Sequence, residues 1–430
     1  YEMSASLVGS EMCIRDRTQA DVIVINTCCF IHDAKEESIN TILEMAQYKE
    51  QNLKALVVAG CLAERYKDEI LKEIPEIDAV LGTTSYDSIV EAVNTALEEN
   101  TGEHFEHYES IDYLPDNSEV ERVVTTGNHM AYLKIAEGCD KRCSYCIIPK
   151  IRGRFRSVPM QELLNEAKRL ASEGVKELVL VAQETTLYGK DLTGEKQLPL
   201  LLHELCKIEG IEWIRLLYCY PEEITDELIK VIKTEEKVCN YIDMPIQHSE
   251  NRILQRMGRR TSREDLVAVI KKLRKEIPDI TIRTTLITGF PGESQEDHEG
   301  LMNFVEECQF DRLGVFTYSP EEDTLAATFE DQIDEEVKEE RRDELMSLQQ
   351  EISYEHTQQL VGKTIKVMVE GYLFEDDIYV GRSYMDAPKV DGCVFINSPE
   401  ELMTGDFVYV KITQGREYDV IGEVDYEFTK

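Results

Sequence analysis

Three cysteines stand at C-x-x-x-C-x-x-C spacing in one short stretch, Gly138-Cys139-Asp140-Lys141-Arg142-Cys143-Ser144-Tyr145-Cys146. Thiolates are soft ligands that suit iron–sulfur clusters. Three of them on one tight loop can hold three irons of a 4Fe–4S cube and leave the fourth iron without a ligand from that loop. An open metal position is where a substrate or cofactor binds, as at catalytic zinc sites. Two plainer uses fit less well. A disulfide knuckle belongs to small secreted domains, and this chain has 430 residues, scattered cysteines and no secretion signal. Structural zinc wants a fourth Cys or His at matching spacing, and none follows in the next fifteen residues.

Two further cysteines end predicted strands upstream. Residues 21–28 form a continuous β-branched run ending in Cys28, and 55–59 form a second run that ends at Gly60-Cys61. Helical patterns over 34–48 and 62–73 and a third strand over 79–81 complete a strand–helix alternation. That alternation predicts a doubly wound α/β domain. In such sheets the ligand crevice lies beyond the carboxyl ends of the strands, so Cys28 and Cys61 share one rim. Residues 101–126, with Pro115-Asp116-Asn117-Ser118, read as a linker.

The middle of the chain has candidate strands over 131–136, 177–182, 213–218, 241–246, 280–287 and 312–318. Helical patterns such as 161–173, 226–233 and 263–275 separate them. Six β–α units suggest an incomplete (βα)6 barrel with its site at the carboxyl rim. The Glu-rich stretch over 333–360 reads as a solvated linking helix. Short strands over 363–369, 378–381, 394–397 and 406–413 then predict a small terminal β barrel. The expected division is 18–100, 101–126 (linker), 127–355 and 356–430. Residues 1–17 carry no clear period and look foreign to the rest of the chain.

The loop, with Tyr145 before its last cysteine, resembles the radical S-adenosylmethionine (SAM) superfamily. In that family the open iron chelates SAM, and electron transfer cleaves it to a 5′-deoxyadenosyl radical. The resemblance narrows over Ile135-Ala136-Glu137-Gly138-Cys139, Ile147-Ile148-Pro149 and Arg152-Gly153-Arg154-Phe155-Arg156-Ser157. With Cys28, Cys61 and a terminal barrel like a TRAM module, the chain resembles the methylthiotransferases from about residue 20 to 424.

That resemblance implies two 4Fe–4S clusters, one on Cys139, Cys143 and Cys146 and an auxiliary one on Cys28, Cys61 and a third cysteine. The family places the third in a Gly-Cys-Pro-Lys-Asn segment well upstream of Cys28. That motif is absent here, and Cys13 lies in the foreign-looking start. The expectation is an N-terminus lost or replaced, with a damaged auxiliary site.

Two branches of the family modify different targets: a transfer-RNA adenosine (MiaB type), or an aspartate of small-subunit ribosomal protein S-twelve (RimO type). The stretches 182–189, 215–221, 245–248 and 316–322 resemble the second, and His248 stands where the RNA-directed branch has serine. The implied reaction places a methylthio group on the aspartate β-carbon, with an electron donor such as a flavodoxin or ferredoxin. A non-enzymatic iron–sulfur scaffold is the remaining alternative.

Charge points the same way. Asp and Glu total 85 against 47 Lys and Arg, a net charge of −38. From residue 356 to the end there are seven basic against fourteen acidic side chains. Nucleic-acid binding needs basic clusters, so RNA is disfavoured and a basic protein partner favoured, with solubility alone as the other reading of the acidity. Twelve cysteines without a signal peptide point to the reducing cytoplasm, and no apolar run approaches a membrane span.

Candidate contacts to SAM are Tyr145, the strand-end residues Gln183 and Gln247, and Gly289 and Gly292 of Gly289-Phe290-Pro291-Gly292-Glu293. Strand-end polarity and an ordinary turn explain these four strand-end and turn positions equally well. Lys150, Arg152, Arg154 and Arg156 form a basic run. It either offsets cluster charge, binds the target carboxylate or is a solvated loop. Cys206, Cys219, Cys239, Cys308 and Cys393 are expected to pack as small apolar residues, and Cys29 is not read as a ligand.

Overall fold

The structure, a computed structural model, describes residues 19–98, 104–115, 122, 124–125 and 127–428. The expectations for residues 1–17 and Cys13 lie outside the described residues. The chain divides into two compact units. One takes residues up to Thr125 together with Glu137–Arg156 and Ser319–Thr328. The other takes Thr126–Ala136, Ser157–Tyr318 and Phe329–Lys430.

Among the described residues of the first unit, four parallel strands pair in chain order: β1 (Val22–Thr27), β2 (Ala55–Gly60), β3 (Ala79–Leu81) and β4 (Phe105–His107). Their apolar runs are continuous because both faces are covered. Helices α1 (His32–Ala46) and α2 (Cys61–Glu73) lay Ile42, Met45, Leu62 and Ile70 against Ile25, Leu56 and Val58. Helix α3 (Ile89–Leu97) packs Ala92 on the opposite face, against Val57, Ala59 and Leu81. Helices on both faces match the doubly wound expectation. The four described strands run in chain order, with no reversal among them. The predicted linker differs at Phe105–His107, which pairs with β3. Three residues with alternating polarity carry too little pattern to announce a strand.

The second unit holds six parallel strands in two ladders. One is β5 (Met130–Lys134), β6 (Glu177–Val181) and β7 (Trp213–Leu216). The other is β8 (Tyr241–Asp243), β9 (Thr281–Thr288) and β10 (Arg312–Thr317). Single parallel bridges, Ile214↔Val238 and Gln247↔Leu286, extend the pairing. Helices follow the strands, including α4 (Gln295–Cys308), which opens on a capping box between Ser294 and Asp297. This is the expected incomplete barrel.

Helix α5 (Glu335–Gln358) corrects the reading of a solvated linker. Lys338, Arg341, Leu345, Gln349 and Ile352 on it are buried, and Gln349 donates to the Phe310 carbonyl at 2.8 Å. Its dense Glu content concealed an inward face built partly from long polar side chains. The terminal residues close a barrel in the order β11 (Thr364–Leu373), β12 (Ile378–Ser383), β13 (Val394–Asn397), β15 (Val420–Val424), β14 (Phe407–Gly415). Val367, Val369, Ile396, Val410 and Ile412 fill it. Closure removes the exposed edges an open sheet would leave. No helix among the described residues is long and apolar enough to cross a membrane.

Candidate functional site

The cysteine loop and the Cys28–Cys61 rim belong to the same compact unit. Gly138 opens the loop with φ +79°, and a Cβ there would lie 2.1 Å from the Arg154 carbonyl oxygen. Only glycine allows this conformation and this approach together. The Cys139 N–H then donates to the Gly153 carbonyl at 3.1 Å, and the Cys146 N–H to the Cys143 carbonyl at 3.1 Å. Cys139 and Cys143 are buried, while Cys146 and Tyr145 are half-buried. The short helix Ile148–Ile151 follows, and its Ile151 joins the core under α1 and α2.

At the rim, Thr27 and Gly60 are register partners, so Cys28 and Cys61 leave adjacent strands side by side. Gly60 (φ +100°) is required because a Cβ would sit 2.6 Å from the Thr27 carbonyl oxygen. The Ser38 hydroxyl accepts from the Cys28 N–H at 3.0 Å and donates to the Cys28 carbonyl at 2.8 Å. Burial holds the Cys61 thiol above its ordinary value, and the Arg152 guanidinium beside it offsets only part of that rise. Arg152 also pairs with buried Glu137 at 3.4 Å. Tyr86, whose hydroxyl donates to Asn26 Oδ1 at 3.0 Å, is pushed up to about 12 by burial, against the pull of Arg152. Cys29 is fully buried and is also pushed up to about 12, chiefly by burial and then by Cys61.

The basic run separates into different jobs. Arg152 sits between Cys61 and Glu137. Lys150 donates to the Asp323 carbonyl at 2.9 Å. Arg156 donates to the Arg152 and Arg154 carbonyls, and Arg154 is the solvated member. Another buried pair, Arg65 with Glu321 at 2.9 Å, ties α2 to the 319–328 segment, and Arg65 donates to the Cys29 carbonyl at 3.0 Å. Sequence reasoning missed Arg65, Tyr86 and Glu137. Arg65 and Tyr86 lie in no motif, and Glu137, though inside the stretch before Cys139, gives no sign of its partner, because pairing across the fold leaves no local pattern.

On the barrel unit the other candidates sit at strand ends. The Gln183 side-chain oxygen after β6 is buried without a hydrogen-bond partner. Gln247 adopts φ +72°. Gly289 and Gly292 also have positive φ, but a Cβ on them would meet Lys338 Cγ at 2.2 Å and Asp331 Oδ2 at 2.4 Å. Their smallness is therefore used for packing against the protein itself. His248, which distinguishes the branches in sequence, is fully buried and cannot touch a macromolecular substrate.

The side chains as they stand bring no three His, Cys, Asp or Glu to metal-ligand spacing among the described residues. The donor set nevertheless fits an iron–sulfur cluster, since three thiols share one glycine-opened loop and two of them are buried. The orphaned Gln183 oxygen fits a polar ligand such as SAM. Cys219, Cys239 and Cys308 are buried in the barrel unit, as expected of small apolar residues, and Cys206 and Cys393 are half-buried.

Residues 133–305 match the model of the radical SAM superfamily, 361–424 the TRAM domain, and 2–82 the uncharacterized protein family UPF0004. The ribosomal protein uS12 methylthiotransferase RimO of Lachnoclostridium phytofermentans is 61% identical over 411 residues, covering 95% of this chain and 92% of that protein. This chain belongs to the RimO family. The RimO protein of Desulfitobacterium hafniense is 50% identical over 423 residues, covering 98% and 94%. The RimO-family fold also resembles a solved radical SAM methyltransferase, TsrM from Kitasatospora setae with cobalamin and a 4Fe–4S cluster bound. The TM-score is 0.53 at 13% identity, over 82% of this chain and 70% of that one, a likeness of fold alone.

Proposed function

We propose that this chain is a ribosomal protein uS12 methylthiotransferase that adds a methylthio group to the β-carbon of an aspartate. The observation that carries this reading is the three-cysteine loop, with Cys139 and Cys143 buried, in a chain 61% identical to a RimO protein over nearly its whole length. Cys139, Cys143 and Cys146 hold a 4Fe–4S cluster, with Tyr145 beside them. Cys28 and Cys61 serve a second cluster. Gln183, Gln247 and the turn bearing Gly289 and Gly292 hold SAM. When bound, these groups supply the one-electron chemistry that an aspartate β C–H, which is hardly acidic, requires.

The chain's own residues do the positioning. Gly138 fixes the loop's entry, and Ser38 fixes Cys28 at its backbone. Arg152 sets a positive charge beside the Cys61 thiol, which favours its thiolate. A flavodoxin or ferredoxin supplies electrons, and the work takes place in the cytoplasm, where the ribosomal protein is. The terminal barrel, with twice as many acidic as basic side chains, suits a basic protein better than RNA. The transfer-RNA alternative has no observation in its favour. Mass spectrometry of uS12 incubated with reconstituted chain, SAM, sulfide and reductant tests the reading. One methylthio group on an aspartate is the expected result, and modified transfer RNA with unmodified uS12 would reject it.

A further inference from the structure

His248 and Glu293 lie on different strand ends of the barrel unit, and neither side chain is exposed. His248 Nδ1 accepts the Glu250 N–H at 3.0 Å, so the ring proton sits on Nε2. Nε2 faces Glu293 Oε2 at 3.6 Å. Arg341 of α5 reaches the same glutamate, donating from Nη1 to Oε1 at 2.9 Å and to its carbonyl at 3.1 Å. The Phe290 N–H donates to Oε2 at 3.2 Å, and the Thr288 hydroxyl to Oε1 at 3.4 Å. Burial works against the Glu293 carboxylate, but His248, Arg341 and Phe290 together hold it below its usual range. A buried anion is thus shared by the turn at 289–293, the strand-end residue His248 and the linking helix.

The neighbour of His248 is the strained residue. Gln247 holds φ +72° between two backbone hydrogen bonds, its N–H to the Thr285 carbonyl at 2.9 Å and its carbonyl from the Ile287 N–H at 2.7 Å. A left-handed non-glycine residue is disfavoured and persists only where its surroundings over-determine it. Such residues gather at binding sites. Here the surroundings are the β9 edge and the His248–Glu293 contact.

We propose that His248 is a positioning residue: acting through Glu293, it holds Gln247 and the 289–292 turn in the arrangement that receives SAM. The proposal rests on the assignment of SAM to this rim. It gives the branch-distinguishing histidine a task that its burial permits, which contact with a macromolecular substrate does not.

Titration of the reconstituted full-length chain with SAM by calorimetry tests it, alongside KM for SAM, kcat and iron content. His248→Leu fills the space without an N–H, and its SAM affinity is expected to fall by about tenfold or more, the effect of removing a buried polar group that faces a carboxylate. KM for SAM should rise more than kcat falls, with iron content unchanged. His248→Gln, which can direct an N–H at Glu293, should recover most of the affinity. Arg341→Met provides a second route to the same loss should the leucine variant fail to fold. Variants that are less thermostable yet bind SAM as the wild type does would overturn the proposal. A wild-type chain that does not bind SAM would instead reject the assignment of SAM to this rim.

Discussion

Arg215 Nε donates to Glu177 Oε1 at 2.8 Å, and neither side chain is exposed. The same carboxylate takes Arg382 Nη2 of the terminal barrel at 2.5 Å, while Arg215 Nη1 donates to the Tyr384 carbonyl at 2.6 Å. Arg382 is balanced further by Glu370 at 2.7 Å. Arg215 opens one of the stretches that set the two branches apart in sequence. In the structure it fastens β7 to the terminal barrel. Two buried guanidiniums around one carboxylate are stable only while that carboxylate is present.

Glu177→Ala should therefore destabilise the barrel unit by about 3–5 kcal/mol, the cost of stranding buried charge. Denaturant unfolding of the full chain measures this. A loss under about 1 kcal/mol would show that water reaches the site once the carboxylate is gone.

Acidification should act through the same residue. Burial alone would raise the Glu177 pKa, but Arg215 and Arg382 hold it below the ordinary range, and Glu293 is likewise lowered. Groups with depressed folded-state values contribute stability that is fully present above the unfolded glutamate value of about 4.3. That contribution is lost as pH falls through the lower folded value. Tm is thus expected to drop below about pH 4. Glu177→Gln should flatten this dependence while lowering Tm at neutral pH, which scanning calorimetry across pH would record.

At the loop, Gly138→Ala should abolish cluster assembly. The left-handed φ and the 2.1 Å approach to the Arg154 carbonyl exclude a Cβ without moving the loop. Iron analysis and the visible absorption of the reconstituted variant report the outcome. Wild-type iron content would mean that the segment after Cys146 can shift to make room.

Iron counting also separates the two candidate sites. Replacing Cys139, Cys143 and Cys146 together by alanine should remove about four irons per chain. Iron that remains belongs elsewhere and should fall on Cys28→Ala or Cys61→Ala. Residual iron indifferent to both would remove Cys28 and Cys61 from a ligand role, and a further loss on Cys13→Ala would identify a third ligand.

Much of the architecture was legible because its signals are local. The runs at β1 and β2 are continuous since both faces of that sheet are covered, and the cysteine spacing states its chemistry within nine residues. The roles of particular side chains were less legible. Gly289 and Gly292 resemble a cofactor turn but spend their missing Cβ on Lys338 and Asp331. Helix α5 has a charge pattern that reads as solvated, yet it buries Lys338 and Arg341.

By itself, the sequence determined the soft-ligand loop, the order of the α/β, barrel and terminal modules, and the acidic character that favours a basic protein partner. Each of these depends on composition or on near neighbours along the chain. The sequence put Cys28 and Cys61 on one rim, but only the tertiary structure decided that they leave adjacent strands in register, with Arg152 at the second thiol. It also decided that His248 lies buried in the barrel unit against Glu293, which Arg341 holds in turn. A buried charge must find its partner wherever the fold brings one, and that partner is usually distant in sequence.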